Sequence, residues 1–345
     1  MQENIMKARK TYSRIGMSYT LMYLGYLVLL LVVMALYKVI TNGEYLMGHS
    51  LNLLDMAVRF VILYPLMYLM IRKLPKFDIP KNSLGIKEIL ACLPITYTIM
   101  YIANLLGAYI NVYVGKTTGV GGVNPIVEFV SDLSPIEQII IVAVLAPIFE
   151  EFLFRKFIID RVIGYGEVAA MFVSGFMFGL FHGNFIQFVY ATALGMFYAF
   201  IYMRTGKLFY TIILHMFLNG FSLFVTNVMM RGVNAPELQQ YLNNGDVDGY
   251  MEYFTSHVED YAAMIVMGFF VLAIVITGIV LMIVNRNKFV FESYAEEVEK
   301  DLRFRTVALN PGMLFFIIFF AITIILTQFG INWYDSLVNA IMRMI

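Results

Sequence analysis

Cysteine is nearly absent from this 345-residue sequence. Cys92 stands alone, which excludes an internal disulfide, a CxxC redox pair and a multi-cysteine zinc site. Charge is scarce as well. Asp, Glu, Lys and Arg make up 14% of the chain, and the 24 basic and 24 acidic side chains cancel. No Arg/Lys cluster is set among stacking aromatics, so nucleic-acid binding has no footprint. With four histidines and one cysteine, chemistry has to come from carboxylates, imidazoles and hydroxyls. What fills the sequence is apolar: 60% of residues are hydrophobic and the mean hydropathy is +0.76, a balance unlike that of a soluble globule.

About twenty residues of helix cross the hydrocarbon layer. Nine runs of that kind can be drawn, at 17–37, 53–71, 88–110, 135–159, 166–181, 185–203, 208–229, 260–284 and 311–329. The expected fold is an all-α, polytopic integral membrane helical bundle with about eight to nine transmembrane helices. Lys7, Arg9, Lys10 and Arg14 precede the first run, which is too long for a signal-peptide core and has no clear small-residue cleavage site. It reads as a retained span. Alternating the connections with the N-terminus inside puts 19 of the 24 basic residues on the inner side. Lys38, Lys116, Arg231 and Arg343 fall outside and Arg59 lies within a span, so a cytoplasmic N-terminus is expected. Pro65, Pro94 and Pro147 are places where spans can bend.

The chain divides into N-terminal helices and loops (1–130), a central core (131–229), and an acidic outward loop with C-terminal spans (230–345). The outward loop carries an Asn-Asn-Gly turn signal at 243–245. Farther on, Glu296, Glu297, Glu299, Lys300 and Asp301, with Val298 and Leu302 between them, read as a surface helix. His49 and His257 fall in outward loops and read as ordinary surface histidines.

The fourth run holds Phe149-Glu150-Glu151-Phe152-Leu153-Phe154-Arg155. A carboxylate facing lipid is costly, so both glutamates must face protein or water. The i,i+4 spacing puts Glu151 beside Arg155 and turns Glu150 about 100° away, free to act on a water or substrate. Phe178 and His182 share a face near the end of the fifth run, and His215 and Asn219 share one in the seventh. At 1.5 Å per residue, Glu150 lies about 15 Å above an inner boundary near Asp160, His215 about 12 Å above Lys207 and Asn219 about 18 Å. His182 comes out at about 22 Å above Glu167, so the fifth helix has to tilt, begin deeper or bend to join them.

Together these groups suit peptide hydrolysis. Glu150 and His182 can activate a water, one taking its proton while the other orients it. His215 and Asn219 can donate to the tetrahedral oxygen, and the Arg155 fork can hold Glu151. Zinc held by Glu150, His182 and His215 is the alternative chemistry, although His-Glu-x-x-His is missing and a ligand glutamate is less available as a base. From other classes, a noncatalytic membrane scaffold or immunity factor would use the same charges as helix fasteners, and a transporter would use them along an ion path. No two-half inverted repeat supports transport.

In three places the sequence resembles the CPBP family, the CAAX-protease and bacteriocin-processing or Abi proteins: Glu150-Glu151-x-x-x-Arg155, Phe178-x-x-x-His182 and His215-x-x-x-Asn219. The resemblance runs from about Ser134 to Ser222. It implies an intramembrane endopeptidase in which Glu150 and His182 activate water, His215 and Asn219 serve the oxyanion, and Arg155 supports the glutamates. Members are often labelled metalloproteases, while the eukaryotic prenyl-protein branch is associated with a glutamate mechanism. The implied partners are membrane lipid and a membrane-associated peptide or protein. An apolar cavity opening inward would suit such a substrate. The composition and the lack of an organellar targeting tail point to a multi-pass protein of a bacterial plasma membrane.

Overall fold

The computed structural model describes residues 2–42, 48–119, 129–230, 241, 244, 246–294 and 296–331, and among these residues every regular element is a helix. In hydrocarbon each backbone N–H and C=O has to be satisfied within its own segment, which turns apolar runs into helices. The helices are α1 (Gln2–Ile40), α2 (His49–Ile71), α3 (Ile86–Thr118), α4 (135–162), α5 (Glu167–Phe181), α6 (Phe185–Thr205), α7 (Leu208–Met230), α8 (Val247–Ser256), α9 (Val258–Val284), α10 (Lys300–Val307) and α11 (Pro311–Gln328). Among the described residues seven are long and apolar enough to cross a membrane: α1, α2, α3, α6, α7, α9 and α11. The chain is a multi-pass membrane protein.

The other two expected spans have a different character. α5 has fifteen residues, about 22 Å of helix. α4 changes its turn repeatedly, with wide π turns at Gln138–Leu145 and Phe152–Phe157 around an α segment at Ala146–Glu151. α2 has a π segment of its own at Val58–Leu63. In α2 and α4 a proline follows the end of a π segment by two residues, Pro65 after Leu63 and Pro147 after Leu145. A proline ring collides with the carbonyl four residues back and offers no N–H, so a widened turn before it relieves both problems.

Helices cross where glycine lets backbones approach. A Cβ on Gly195 would lie 2.7 Å from the Gly175 Cα, and one on Gly179 would lie 2.7 Å from the Phe188 carbonyl, so α5 and α6 pack through Gly175-x-x-x-Gly179. α1 and α11 meet the same way at Gly16 and Gly312, where a Gly16 Cβ would lie 2.5 Å from the Gly312 carbonyl.

The basic connections gather at one end of the bundle. Phe77 N–H donates to the Asp160 carbonyl at 2.7 Å, Asn82 N–H to Thr205 at 2.9 Å, and Val298 N–H to Tyr165 at 3.1 Å. Arg204 joins Glu167 and, at 2.9 Å, Glu292. Two cations at this end are buried, however. Arg155 and Arg161 are 0% and 1% exposed, so they drop out of the orientation argument and seventeen of the nineteen inner cations carry it. Arg161 instead donates to the Ile71 and Phe157 carbonyls.

The segment expected as a surface helix is helical only over Lys300–Val307. Glu297 to Glu299 run without helix because Val298 is buried and its backbone is tied to Tyr165 and Arg303. His49 is exposed yet tethered: its Nε2 lies 3.2 Å from Glu137 Oε1 and its Nδ1 3.1 Å from the Asp132 carbonyl, clasping the starts of α2 and α4. His257 stacks on Tyr253 with ring centroids 4.0 Å apart. Asn243 and Gly245 of the turn signal, together with Arg231 and Arg343, lie outside the described residues.

Candidate active site

The site is built on the irregular helix α4. In its first π segment the Ala146 N–H bonds the Ile141 carbonyl five residues back. The next donor in that register would be Pro147, which has none, and the Val142 carbonyl is left over. The Asn219 side chain on α7 fills the place, its Nδ2 donating to Val142 at 2.9 Å. One amide hydrogen of Asn219 is thus committed to α4, and the second remains. The pairing predicts that Asn219→Ala lowers thermal stability by about 1–2 kcal/mol. Pro147→Ala restores a backbone donor, so the loss should shrink in that background. Equal losses in both backgrounds, measured by unfolding in detergent, would show that Asn219 is not compensating the proline.

In the second π segment the wide turn presents carbonyl lone pairs sideways, and neighbouring helices use them. Tyr19 of α1 donates its hydroxyl to the Leu153 carbonyl. Ser174 of α5 donates to the Phe154 carbonyl at 2.7 Å. Ser174 also accepts from Arg155 Nη1 at 3.3 Å. The irregular helix is therefore pinned from two sides at the level of its charges.

Glu151 and Arg155 form the pair that their spacing predicts. Arg155 Nε lies 3.1 Å from Glu151 Oε2, Nη2 lies 3.2 Å from Oε1, and both side chains are wholly buried. The guanidinium packs on the Phe178 ring, 4.7 Å from its centroid. His215 completes the cluster, with Nδ1 3.0 Å from Glu151 Oε1 and Nε2 3.6 Å from Glu150 Oε2. A carboxylate gripped by arginine is an acceptor, so His215 Nδ1 carries the hydrogen and Nε2 faces Glu150.

Glu150 is the open member, its side chain 23% exposed where Glu151 has no exposure. His182 terminates α5 and its Nδ1 donates to the Phe178 carbonyl at 2.8 Å, which leaves Nε2 as the basic nitrogen. The Phe178 ring stands edge-on to His182 at 4.8 Å and to His215 at 5.8 Å. Glu150 is among the electrostatic neighbours of His182, with His215 and Arg155. The mismatch between Glu150 and His182 disappears because the helical run does not stop near Asp160. It continues through a 3-10 turn to Tyr165, and both Glu150 and His182 then lie about fifteen residues, or about 22 Å, above the inner end.

The helix-face argument finds the Glu151–Arg155 pair and the Phe178–His182 contact. It groups His215 with Asn219, however, whereas the structure turns the imidazole to the two carboxylates and the amide to a backbone carbonyl. Ser174, Tyr19 and the second and third contacts of Phe178 have no signal at fixed spacing in the sequence. The glycines of Gly175-x-x-x-Gly179 are the one clue that Ser174 lies at a close crossing.

The zinc alternative needs three converging ligands. Among the described residues no group of three His, Cys, Asp or Glu side chains is placed to hold a metal ion. Within the expected set, His215 Nδ1 is held on Glu151 and His182 Nδ1 on a carbonyl, which leaves the Nε2 atom of each ring available.

Residues 132–221, which contain all of these groups except Tyr19, match the family model for the type II CAAX prenyl endopeptidase Rce1-like family. This segment is an Rce1-like domain of the CAAX/Abi protease type, within the CPBP superfamily. No curated protein and no solved structure matches the chain.

Proposed function

We propose that the protein is an intramembrane endopeptidase that hydrolyses peptide bonds in membrane-associated peptides or proteins without a bound metal. One observation carries the reading: carboxylates and imidazoles from three helices meet at one level, and Glu150 alone among the charged groups is left open. The family match over 132–221 supports it.

Water sits between the Glu150 carboxylate and His182 Nε2. As its oxygen attacks the peptide carbonyl carbon, Glu150 takes one proton and His182 fixes the direction of attack. The carbonyl oxygen becomes an oxyanion facing His215 and the second amide hydrogen of Asn219. His215 Nε2 can donate only as imidazolium, because Nδ1 already donates to Glu151. Glu150 then passes its proton to the departing nitrogen as the C–N bond breaks, releasing an amine and a carboxylic acid.

The substrate is a peptide held at the membrane by an apolar group, prenyl or side-chain, and the site lies in a bacterial plasma membrane with the N-terminus cytoplasmic. The test is a comparison of membrane peptides in cells carrying the wild type or His182→Ala. Fragments that appear with the wild type and vanish with His182→Ala are expected. Identical peptide profiles, with purified His182→Ala folded, would leave the domain as a scaffold.

A further inference from the structure

Tyr198 belongs to none of the spaced pairs in the sequence, yet a helix crossing delivers it to the charged cluster. α5 and α6 run antiparallel and touch at Gly175 and Gly195. Three residues beyond each glycine stands an aromatic ring, Phe178 on α5 and Tyr198 on α6. Because the helices run in opposite directions, the two rings are offset about 4.5 Å to either side of the crossing. Arg155 and His215 meet both of them. The guanidinium carbon lies 4.7 Å from the Phe178 centroid and 5.8 Å from that of Tyr198. The imidazole centroid is 5.8 Å from Phe178 and 5.5 Å from Tyr198, the second ring tilted by 41°. Tyr198 is wholly buried, so substrate has no access to it. Its hydroxyl makes no hydrogen bond to Glu151, Arg155 or His215 and has Thr96 of α3 as a polar neighbour. What the cluster receives from Tyr198 is the ring.

We infer that Tyr198 is a positioning residue of the site, its ring holding the Arg155 guanidinium and, through it, the hold of His215 on Glu151. The inference rests on the endopeptidase reading and deepens it. Glu151 is a shared acceptor. Arg155 Nε lies 3.1 Å from Oε2 and Nη2 3.2 Å from Oε1, while His215 Nδ1 lies 3.0 Å from the same Oε1. A guanidinium free to tilt across the carboxylate would compete with the imidazole for that oxygen. Electron-rich ring faces attract the cation and limit its tilt, which an aliphatic side chain of similar bulk does not do. With Arg155 confined, Nδ1 keeps Oε1 and Nε2 keeps its aim at Glu150.

Three replacements separate ring face, shape and hydroxyl: Tyr198→Phe, Tyr198→Leu, and pentafluorophenylalanine in place of Tyr198. The fluorinated residue fills the space of phenylalanine with the charge pattern of the ring reversed. Tyr198→Phe should keep wild-type turnover. The other two should lower kcat about ten- to thirtyfold with KM unchanged. A second readout needs no turnover: the ring-nitrogen NMR resonances of His215, assigned by their loss in His215→Asn. They should coincide in the wild type and Tyr198→Phe and be displaced in the other two proteins. The fluorinated protein keeps the packing, so it decides the matter if Tyr198→Leu does not fold. Wild-type kcat in the fluorinated protein overturns the inference. Tyr198→Phe as slow as the fluorinated protein moves the role to the hydroxyl and overturns it too. An unmoved His215 resonance overturns it whether or not peptide is cleaved, because Tyr198 would then be packing only. Displaced resonances with no cleavage even by the wild type uphold the positioning contact and refute the protease reading instead.

Discussion

Glu150→Gln is expected to reduce peptide turnover by about 10²- to 10⁴-fold while the protein stays folded. The amide keeps the shape of the carboxyl but cannot accept the water proton at neutral pH. The structural cost is small because Glu150 has no close partner of its own. Its one ion-pair contact, with His215 Nε2, is long at 3.6 Å, and the side chain is partly open. His215 stays anchored through Nδ1 on Glu151. The check is the initial rate on a peptide known to be processed, with thermal unfolding measured on the same preparation. Wild-type turnover would remove Glu150 from the chemistry. A collapse of stability would assign it to assembly.

The largest stability effect is expected at Arg155. Arg155→Met leaves the Glu151 carboxylate with no exposure and no arginine, and losing one member of a buried pair costs about 3–5 kcal/mol. Exchanging both partners for apolar residues of similar volume avoids the stranded charge. Glu151→Leu combined with Arg155→Met should therefore be more stable than Arg155→Met alone. It should still be inactive, because His215 Nδ1 then has no carboxylate to hold its tautomer. Unfolding midpoints of the single and double variants test the first statement, and peptide turnover tests the second. A double variant that cleaves at the wild-type rate would show that the pair only fastens helices.

Much of the site is legible at fixed spacing. Glu151 and Arg155 have to meet because they are one turn apart, and Phe178 has to lie against His182 for the same reason. The depth of Glu150 is underestimated because Asp160 and Arg161 resemble an interfacial boundary. They are buried instead, Asp160 accepting from the Tyr202 hydroxyl at 2.6 Å and Arg161 capping carbonyls. A charge reads as a boundary when its partner lies far away in sequence, as Tyr202 and Ile71 do. His49 is exposed as its position suggests, and its tether is hidden for the same reason, since Glu137 and Asp132 are remote along the chain.

The apolar runs by themselves settle that the chain is helical and multi-pass, because unpaired backbone groups are intolerable in hydrocarbon. The side chains one turn apart are equally fixed by helix geometry. Which nitrogen of His215 faces which glutamate and why Asn219 is spent on Val142 follow only from the packing of separate helices. Proline and π turns shift faces by amounts that no constant period encodes, and the polar groups they leave unpaired are satisfied by whichever neighbour the fold brings near.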